Sequence, residues 1–484
     1  MDWINDSLVG ITGLVSDTMY TYVLVFLLIG SGLYFSFRTK FVQIRFIKDM
    51  FTVLTEQKRV QGSKSVSSFQ ALMVSTASRV GTGNIAGIAT AIALGGPGAV
   101  FWMWIMAIIG ASSAFIESTL AQIFKIKGPN GEFRGGPAYY IEQALGKRWL
   151  GVLFSILLVI CFAYGFNALQ SFNMTSALEH YIPGYASTQA PLAVGIILVV
   201  LTAFIIFGGA QRISFMTSVI VPVMATAYIV LALWVTVTNL GAVPAVFSLI
   251  FASAFDFESI FGGFAGSVVL IGIKRGLYSN EAGMGSAPNA AAAASVSHPC
   301  KQGLAQSLSV FIDTLLICSC TAMMVLVFYV NGNPGELNGI PLVQQAVSFS
   351  VGEMGIHFIT FAIFTFAFSS LIGNYFYAES NIKFIKDNKI VLLVFRVTCL
   401  IAIFLGTQSS FDLAWNVADI VMGAMAFMNI VAIVLLGKWA LRALDDYTLQ
   451  RKQQKDPTFV ASSIPGLPAT QCWHGAESEI QDRS

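Results

Sequence analysis

Long apolar runs separated by short polar connections make up most of this chain. Runs of roughly 18 or more apolar residues are long enough to cross a bilayer as helices. About eleven can be marked, at 19–37, 67–95, 98–124, 149–178, 190–208, 213–238, 260–296, 303–330, 354–382, 389–406 and 412–438. Two of them are interrupted in the same way. The second run reads SSFQALMVSTASRVGTGNIAGIATAIAL from Ser67 to Leu94, and the seventh reads GFAGSVVLIGIKRGLYSNEAGMGSAPNAAAAA from Gly263 to Ala294. Both carry glycines, polar residues and charges where lipid favours Leu and Ile. Unwound backbone at membrane depth persists only where it is buried in protein or lines a cavity. Matching breaks in two halves of a chain point to a substrate and ion site at a repeat interface, the signature of a secondary transporter.

Lys and Arg alternate between connections. Arg38, Lys40, Arg45, Lys48, Lys58, Arg59 and Lys64 follow the first run, and Lys125, Lys127, Arg134, Lys147 and Arg148 follow the third. Arg212 follows the fifth, Lys301 the seventh, and Lys383, Lys386 and Lys389 the ninth. Lys438, Arg442, Arg451, Lys452, Lys455 and Arg483 follow the last run. The N-terminus and the connections 179–189, 239–259, 331–353 and 407–411 hold none. The positive-inside rule then predicts an N-terminus outside and a C-terminus in the cytoplasm, as an odd number of crossings requires. No basic region opens the chain, so no cleavable signal peptide is expected.

The expected fold class is an all-α polytopic membrane protein with about 11 transmembrane helices. Residues 1–66 supply an extra first helix and a cytoplasmic linker, in which FRTKFVQIRFIKDM reads as an amphipathic interfacial helix. Residues 67–239 and 240–440 form two five-helix repeats, each opening with a broken helix, and an odd repeat length makes them inverted. A polar cytoplasmic tail, 441–484, is expected to be mobile from about Asp456.

Composition agrees with lipid as the main solvent. Of 484 residues 56% are hydrophobic and 11% charged, against about 25% charged in soluble chains. The six cysteines lack metal spacing and read as small core hydrophobes, and the four histidines are too dispersed for a metal cluster. No HExxH, GxSxG or His/Asp cluster lies in a membrane run, which argues against an enzyme. The polar residues gather at two breaks rather than lining a continuous pore, which argues against a channel. The tail is too short for a signalling domain.

The first break centres on Ser78-Arg79-Val80-Gly81-Thr82-Gly83-Asn84. Glycine costs about 1 kcal/mol in a helix interior, so paired glycines mark where the helix opens. Opening frees carbonyls that suit a bare Na⁺ and N–H groups that, at the next helix start, suit a carboxylate. Close packing through small residues is the alternative, but it explains neither Arg79 nor Asn84. In the fourth run Asn167, Gln170, Ser171 and Met174 share one helical face, and Gln170 is placed to hold a head group unless it only joins helices. In the ninth run Ser369 and Ser370 offer neutral hard oxygens for Na⁺, unless both merely bond back to their own helix. Glu117, Glu281, Asp313, Glu379 and Asp419 are intramembrane acids, functional by default, for which Arg79, Lys274 and Arg275 are natural ion-pair partners.

VGTGNIAGIATAIALGGPGAVFWMW (80–104), GEFRGGPAYYIEQALG (131–146), RGLYSNEAGMGSAPNAAAAA (275–294) and FAFSSLIGNYFYAE (366–379) closely resemble the alanine or glycine:cation symporters, also called sodium:alanine symporters. That family is similar to the leucine-transporter-type fold of two inverted five-helix repeats. The resemblance implies a sodium-coupled importer in the plasma membrane of a bacterium or archaeon. Under it, the carbonyls of Ala77 and Val80, with Ser369, Ser370 and the Phe366 carbonyl, would hold Na⁺. Gly81, Thr82 and Gly83 would meet the substrate carboxylate. A second break at Gly272-Ile273-Lys274, with Gln170 opposite and Asn374 nearby, would complete the substrate site. The implied cargo is Na⁺ with a small neutral amino acid, alanine or glycine; no cofactor and no nucleic acid are expected. Proton coupling through Glu117 or Asp313, or selectivity for glutamine or serine, is the alternative. Oligomeric state stays open.

Overall fold

A computed structural model of the chain describes residues 2–55, 66–129, 131–256 and 267–474. Lys58, Arg59 and Lys64 of the basic linker, the first residues of the seventh apolar run (260–266) and Arg483 lie outside the described residues. Among the described residues, eight helices are long and apolar enough to cross a membrane. They are α1 (Val9–Arg38), α4 (Ala99–Ile123), α6 (Arg148–Ser176), α8 (which includes Arg212–Thr238), α12 (Pro299–Asn331), α14 (Met354–Ile385), α15 (Lys389–Gly406) and α16 (Phe411–Lys452).

Three expected crossings take another form. Helix α7 (Ala190–Ile206) has 17 residues. The second apolar run is split into α2 (Ser68–Arg79) and α3 (Ile88–Gly95). The seventh is split into α10 (Val268–Asn280) and α11 (Pro288–Ala293). The connection after α4 ends in a short helix, α5 (Pro137–Leu145), where the sequence GPAYYIEQAL suggests a helical end over Ala138–Leu145. Helices α9 (Val243–Ala254) and α13 (Gly339–Val351) stand where the sequence suggested plain connections. A two-residue antiparallel ladder, β1 (Ile126–Lys127) with β2 (Phe133–Arg134), follows α4.

The element boundaries follow from local chemistry. Ser67 caps α2 through a capping box with Gln70, each side chain taking the other's backbone N–H. Pro288 and Pro299 open α11 and α12 in the first turn, where a missing N–H costs nothing. Helices α1, α6 and α12 each contain a π-helical stretch, at Tyr20–Leu24, Val159–Phe166 and Phe311–Cys318, and another, Gly83–Gly87, follows the first break. Such wide turns re-aim side chains and gather at functional sites.

Three expectations need correction. The second break lies at 281–287, not at Gly272-Ile273-Lys274, because α10 runs unbroken through those residues. Gly272 there makes room for a neighbouring helix, since a Cβ on it would sit 2.7 Å from the Ala99 carbonyl oxygen. The true opening is set by Glu281, Gly283 and Gly285, all with positive φ. The linker after α1 folds as two short helices, Val42–Arg45 and Ile47–Thr52, rather than one. Asp49 pins them to α16 through the Tyr447 hydroxyl (3.0 Å) and Arg451 (2.7 Å), while Ile44, Ile47 and Phe51 face outward. The tail beyond Asp456 is packed down as far as residue 474, with Phe459, Ile464 and Trp473 buried.

Candidate functional site

At the first break α2 ends at Arg79, and Val80 leaves helical geometry at φ −76°, ψ 83°. The loosened carbonyls face α14. The Ser370 hydroxyl lies 2.9 Å from the Ala77 oxygen, 3.5 Å from that of Val80 and 3.1 Å from that of Phe366. Ser369 donates back to the Phe366 oxygen at 2.8 Å. All five residues are buried. Their oxygens converge without a formal charge, a donor set suited to a hard monovalent cation at little desolvation cost.

On the other side of the break the Thr82 amide donates to Gln170 Oε1 at 3.1 Å, and Asn173 Nδ2 donates to the Thr82 hydroxyl at 3.2 Å. Gln170 Nε2 reaches the Tyr278 hydroxyl at 3.3 Å. Gly81 sits between the two groups of residues. A Cβ there would fall 2.3 Å from Ser370 Oγ and 2.9 Å from Gln170 Nε2, so only glycine lets the break lie this close to α6 and α14 at once. Above it Tyr278 packs edge-on against Phe166 (4.9 Å) and Trp415 (5.1 Å), forming an aromatic wall.

The structure brings Ala77, Val80, Phe366, Ser369 and Ser370 together, and Gly81, Thr82, Gly83 and Gln170 beside them. Asn374 lies one turn from Ser370 but is committed elsewhere, accepting from Ser78 (2.7 Å) and donating to Asn167 (3.0 Å). Gly272 and Ile273 sit inside the unbroken helix α10.

The acids divide by partner. Arg275 makes a two-pronged pair with Asp419 (3.2 and 3.1 Å), and Lys274 bridges Asp419 and Asp17, both at 3.2 Å. This was the expected pairing. Glu117 instead accepts from the amides of Gly283 (3.3 Å) and Gly285 (3.0 Å) and from Asn429 (2.7 Å). Glu281 accepts from Ser78 (3.1 Å) and Ser286 (2.6 Å). These two carboxylates thus satisfy the second break and tie it to the first. Asp313 accepts from Asn84 (2.6 Å), Ser279 (2.5 Å) and Thr314 (2.9 Å). Arg79, expected as an ion-pair partner, is buried with its Nη1 at 3.5 Å from the Gln306 carbonyl, and no ion pair joins it among the described residues.

Sequence reasoning missed Phe166, Tyr278, Ser279 and Trp415. Their one visible signal was position: each stands within a turn or two of a polar residue inside an apolar run.

Two interrupted helices meeting at a buried, polar, neutral-oxygen site inside a helical membrane bundle define a secondary transporter, not an enzyme. The comparisons agree. Residues 5–461 match the sodium:alanine symporter family, and the chain belongs to that family. It is 47% identical over 464 residues to the amino-acid carrier protein AlsT of Bacillus subtilis, covering 96% of this chain and 97% of that one. It is 46% identical to the probable sodium/glutamine symporter GlnT of the same organism, covering 96% and 95%. Among solved structures it is similar to MhsT in complex with L-phenylalanine, with a TM-score of 0.58 at 16% identity over 79% of this chain and 96% of that one. At that identity the likeness speaks for the fold. The protein is a multi-pass transporter of the plasma membrane.

Proposed function

We propose that this protein couples the entry of Na⁺ to the uptake of a small neutral amino acid, alanine or glycine. The observation that carries the reading is the Ser370 hydroxyl among the Ala77, Val80 and Phe366 carbonyls, one residue away from the free-ended helix break. In this reading Na⁺ takes those oxygens together with Ser369. The substrate carboxylate takes the Thr82 and Gly83 amides, displacing Gln170 Oε1 from Thr82. The α3 side of the break presents N–H groups and the positive end of a helix dipole, which favours an anion there. Phe166, Tyr278 and Trp415 supply the aromatic wall that the substrate side chain would meet. The family's description names sodium and alanine; the GlnT relative is described as a probable sodium/glutamine symporter, so glutamine is the competing cargo.

The same reading assigns eleven crossings in two inverted repeats, 67–239 and 240–440, with the N-terminus outside. The short helices α5 and α13 support it, since each stands between the second and third crossings of its repeat. One Na⁺ moving inward gains about 2.3 kcal/mol per 100 mV of membrane potential, enough to drive accumulation. Filling of both sites favours closure, and rocking of the bundle then opens the site inward.

Proton coupling is the second reading, favoured by the contact of Asp313 with Asn84 of the break. Uptake of radiolabelled alanine into proteoliposomes separates the readings. An inward Na⁺ gradient, but not an equal K⁺ gradient, should drive uptake that unlabelled glycine competes. Uptake driven only by an acid exterior would move the coupling to Asp313. Competition by glutamine but not glycine would change the cargo.

A further inference from the structure

The chain does not leave the bundle where α16 ends. It turns back and is stitched to the connection between α11 and α12. The Phe459 amide donates to the Ser297 oxygen (2.9 Å), the Ser297 hydroxyl to the Pro457 oxygen (2.8 Å), and Lys301 pairs with Asp456 (2.6 Å). The tail then closes on itself, with the Ala461 amide donating to the Trp473 oxygen (2.9 Å) and the Phe459 and Trp473 rings edge to face at 5.3 Å. Trp473, only 6% exposed, donates its indole N–H to the Gln122 carbonyl at 2.7 Å.

Gln122 and Lys125 carry the contact inward. The Gln122 amide donates to the carbonyls of Ala291 and Ala294 at the end of the second broken helix. The Lys125 ammonium donates to the Ala294 oxygen (3.0 Å) and to Gln122 Oε1 (2.8 Å). That ammonium is sandwiched between the rings of Phe133 (4.1 Å) and Trp473 (4.8 Å). The base of the first broken helix is joined to the same place, because Val66 and the Ala293–Ser295 backbone exchange hydrogen bonds at 3.4 and 3.1 Å. A half-open cleft lies against these bases, between Val66, Arg134, Asn289, Ala293, Glu379 and Lys383. An opening of the bundle that draws the second helix base away from the end of α4 breaks the Gln122 and Lys125 hydrogen bonds to Ala291 and Ala294.

We propose that residues 456–474 are a latch on this opening, and that Trp473 is the positioning residue that holds Gln122 and Lys125 against Ala294. The latch rests on the transporter reading for its consequence but not for its structure. Its contacts seat Phe459, Ile464 and Trp473 against the core from a segment that follows the last bundle helix, α16, so the segment can lift while the helices keep their own packing. Breaking them raises the population open to the cytoplasm. A state competent to bind external substrate is then less populated, and apparent external affinity falls in proportion.

The test uses full-length protein in nanodiscs beside Trp473→Ala, the milder Trp473→Phe, and a chain ending at Lys455. Amide hydrogen exchange over 291–298 and 66–70 should quicken at least tenfold in Trp473→Ala and in the shortened chain, less in Trp473→Phe, with 148–176 unchanged. In proteoliposomes the external KM for alanine should rise several-fold while the maximal rate holds or rises. Unchanged exchange at both helix bases, or exchange that quickens equally throughout the bundle, would overturn the latch. If exchange quickens locally but no variant, nor the parent, moves alanine with Na⁺, the latch stands and the cargo assignment fails.

Discussion

The Ser370 hydroxyl meets the Ala77 carbonyl at 2.9 Å across 293 residues of chain, joining the middle of α14 to the last turn of α2. Ser370 also reaches the Phe366 oxygen of its own helix, so the back-bonding that would make it a mere helix residue coexists with the contact that makes it a ligand. Ser370→Ala removes one neutral oxygen from a set that would hold Na⁺. A lost ligand of this kind should raise the Na⁺ concentration for half-maximal uptake about tenfold, on the order of 1.4 kcal/mol. Flux in proteoliposomes at a Na⁺ series measures it, and unchanged Na⁺ dependence would remove Ser370 from the ion site.

Gln170 occupies the Thr82 amide that the substrate carboxylate should take, and it also steadies Tyr278. Gln170→Ala loses both contacts. Apparent affinity for alanine should weaken several-fold while Na⁺ dependence shifts little, because the cation oxygens lie on the other side of Gly81. A variant with parental alanine KM and rate would make Gln170 a structural residue.

The first break could be read from sequence because it violates its surroundings: paired glycines, an arginine and an asparagine have no reason to stand in lipid. Ser369 and Ser370 stood out by the same contrast. The second break was misplaced because a glycine in a membrane helix has two meanings. Gly272 serves packing against Ala99, whereas the unwinding begins at Glu281, a non-glycine residue at φ 54° that composition does not flag. Tyr278 and Trp415 were invisible for the opposite reason, since aromatic residues in apolar runs look like ordinary core. The tail misled in a third way. Its polarity described its outer face, while isolated Phe459 and Trp473 found burial on tertiary partners that no local pattern encodes.

Asp419, whose side chain is 1% exposed, answers both Lys274 and Arg275. The Arg275 guanidinium also lies 4.2 Å from the Trp415 ring centre, so the ion cluster braces the aromatic wall of the site. Asp419→Asn leaves the buried Arg275 facing a neutral amide and Lys274 with Asp17 as its remaining carboxylate. Removing one member of a buried pair typically costs about 3–5 kcal/mol. The thermal midpoint in detergent should fall clearly, and adding Arg275→Gln should recover part of the loss. A midpoint equal to the parent's would mean that water already reaches the pair.

Lys125 connects the latch to pH. Burial pushes its pKa down from 10.5 to about 7; the thiol of Cys472 opposes the shift slightly and Lys127 adds to it. A solvated lysine at the same position keeps its ordinary value, so between pH 7 and about 10.5 the open or unfolded state holds more protons than the closed one. Closed-state stability therefore rises as pH increases through that window and is flat below pH 7, where both states are protonated. The neutral amine still donates to Ala294, so deprotonation relieves the burial cost without breaking the contact. The parent should accordingly gain thermal stability between pH 7 and 9.5 relative to Lys125→Met, which keeps the bulk and loses the charge. Cys472→Ser serves as the control, because that thiol titrates above its ordinary value and faces the same ammonium. Parallel curves for the parent and Lys125→Met would show that the ammonium stays charged throughout, held by the Phe133 and Trp473 rings strongly enough to offset its burial.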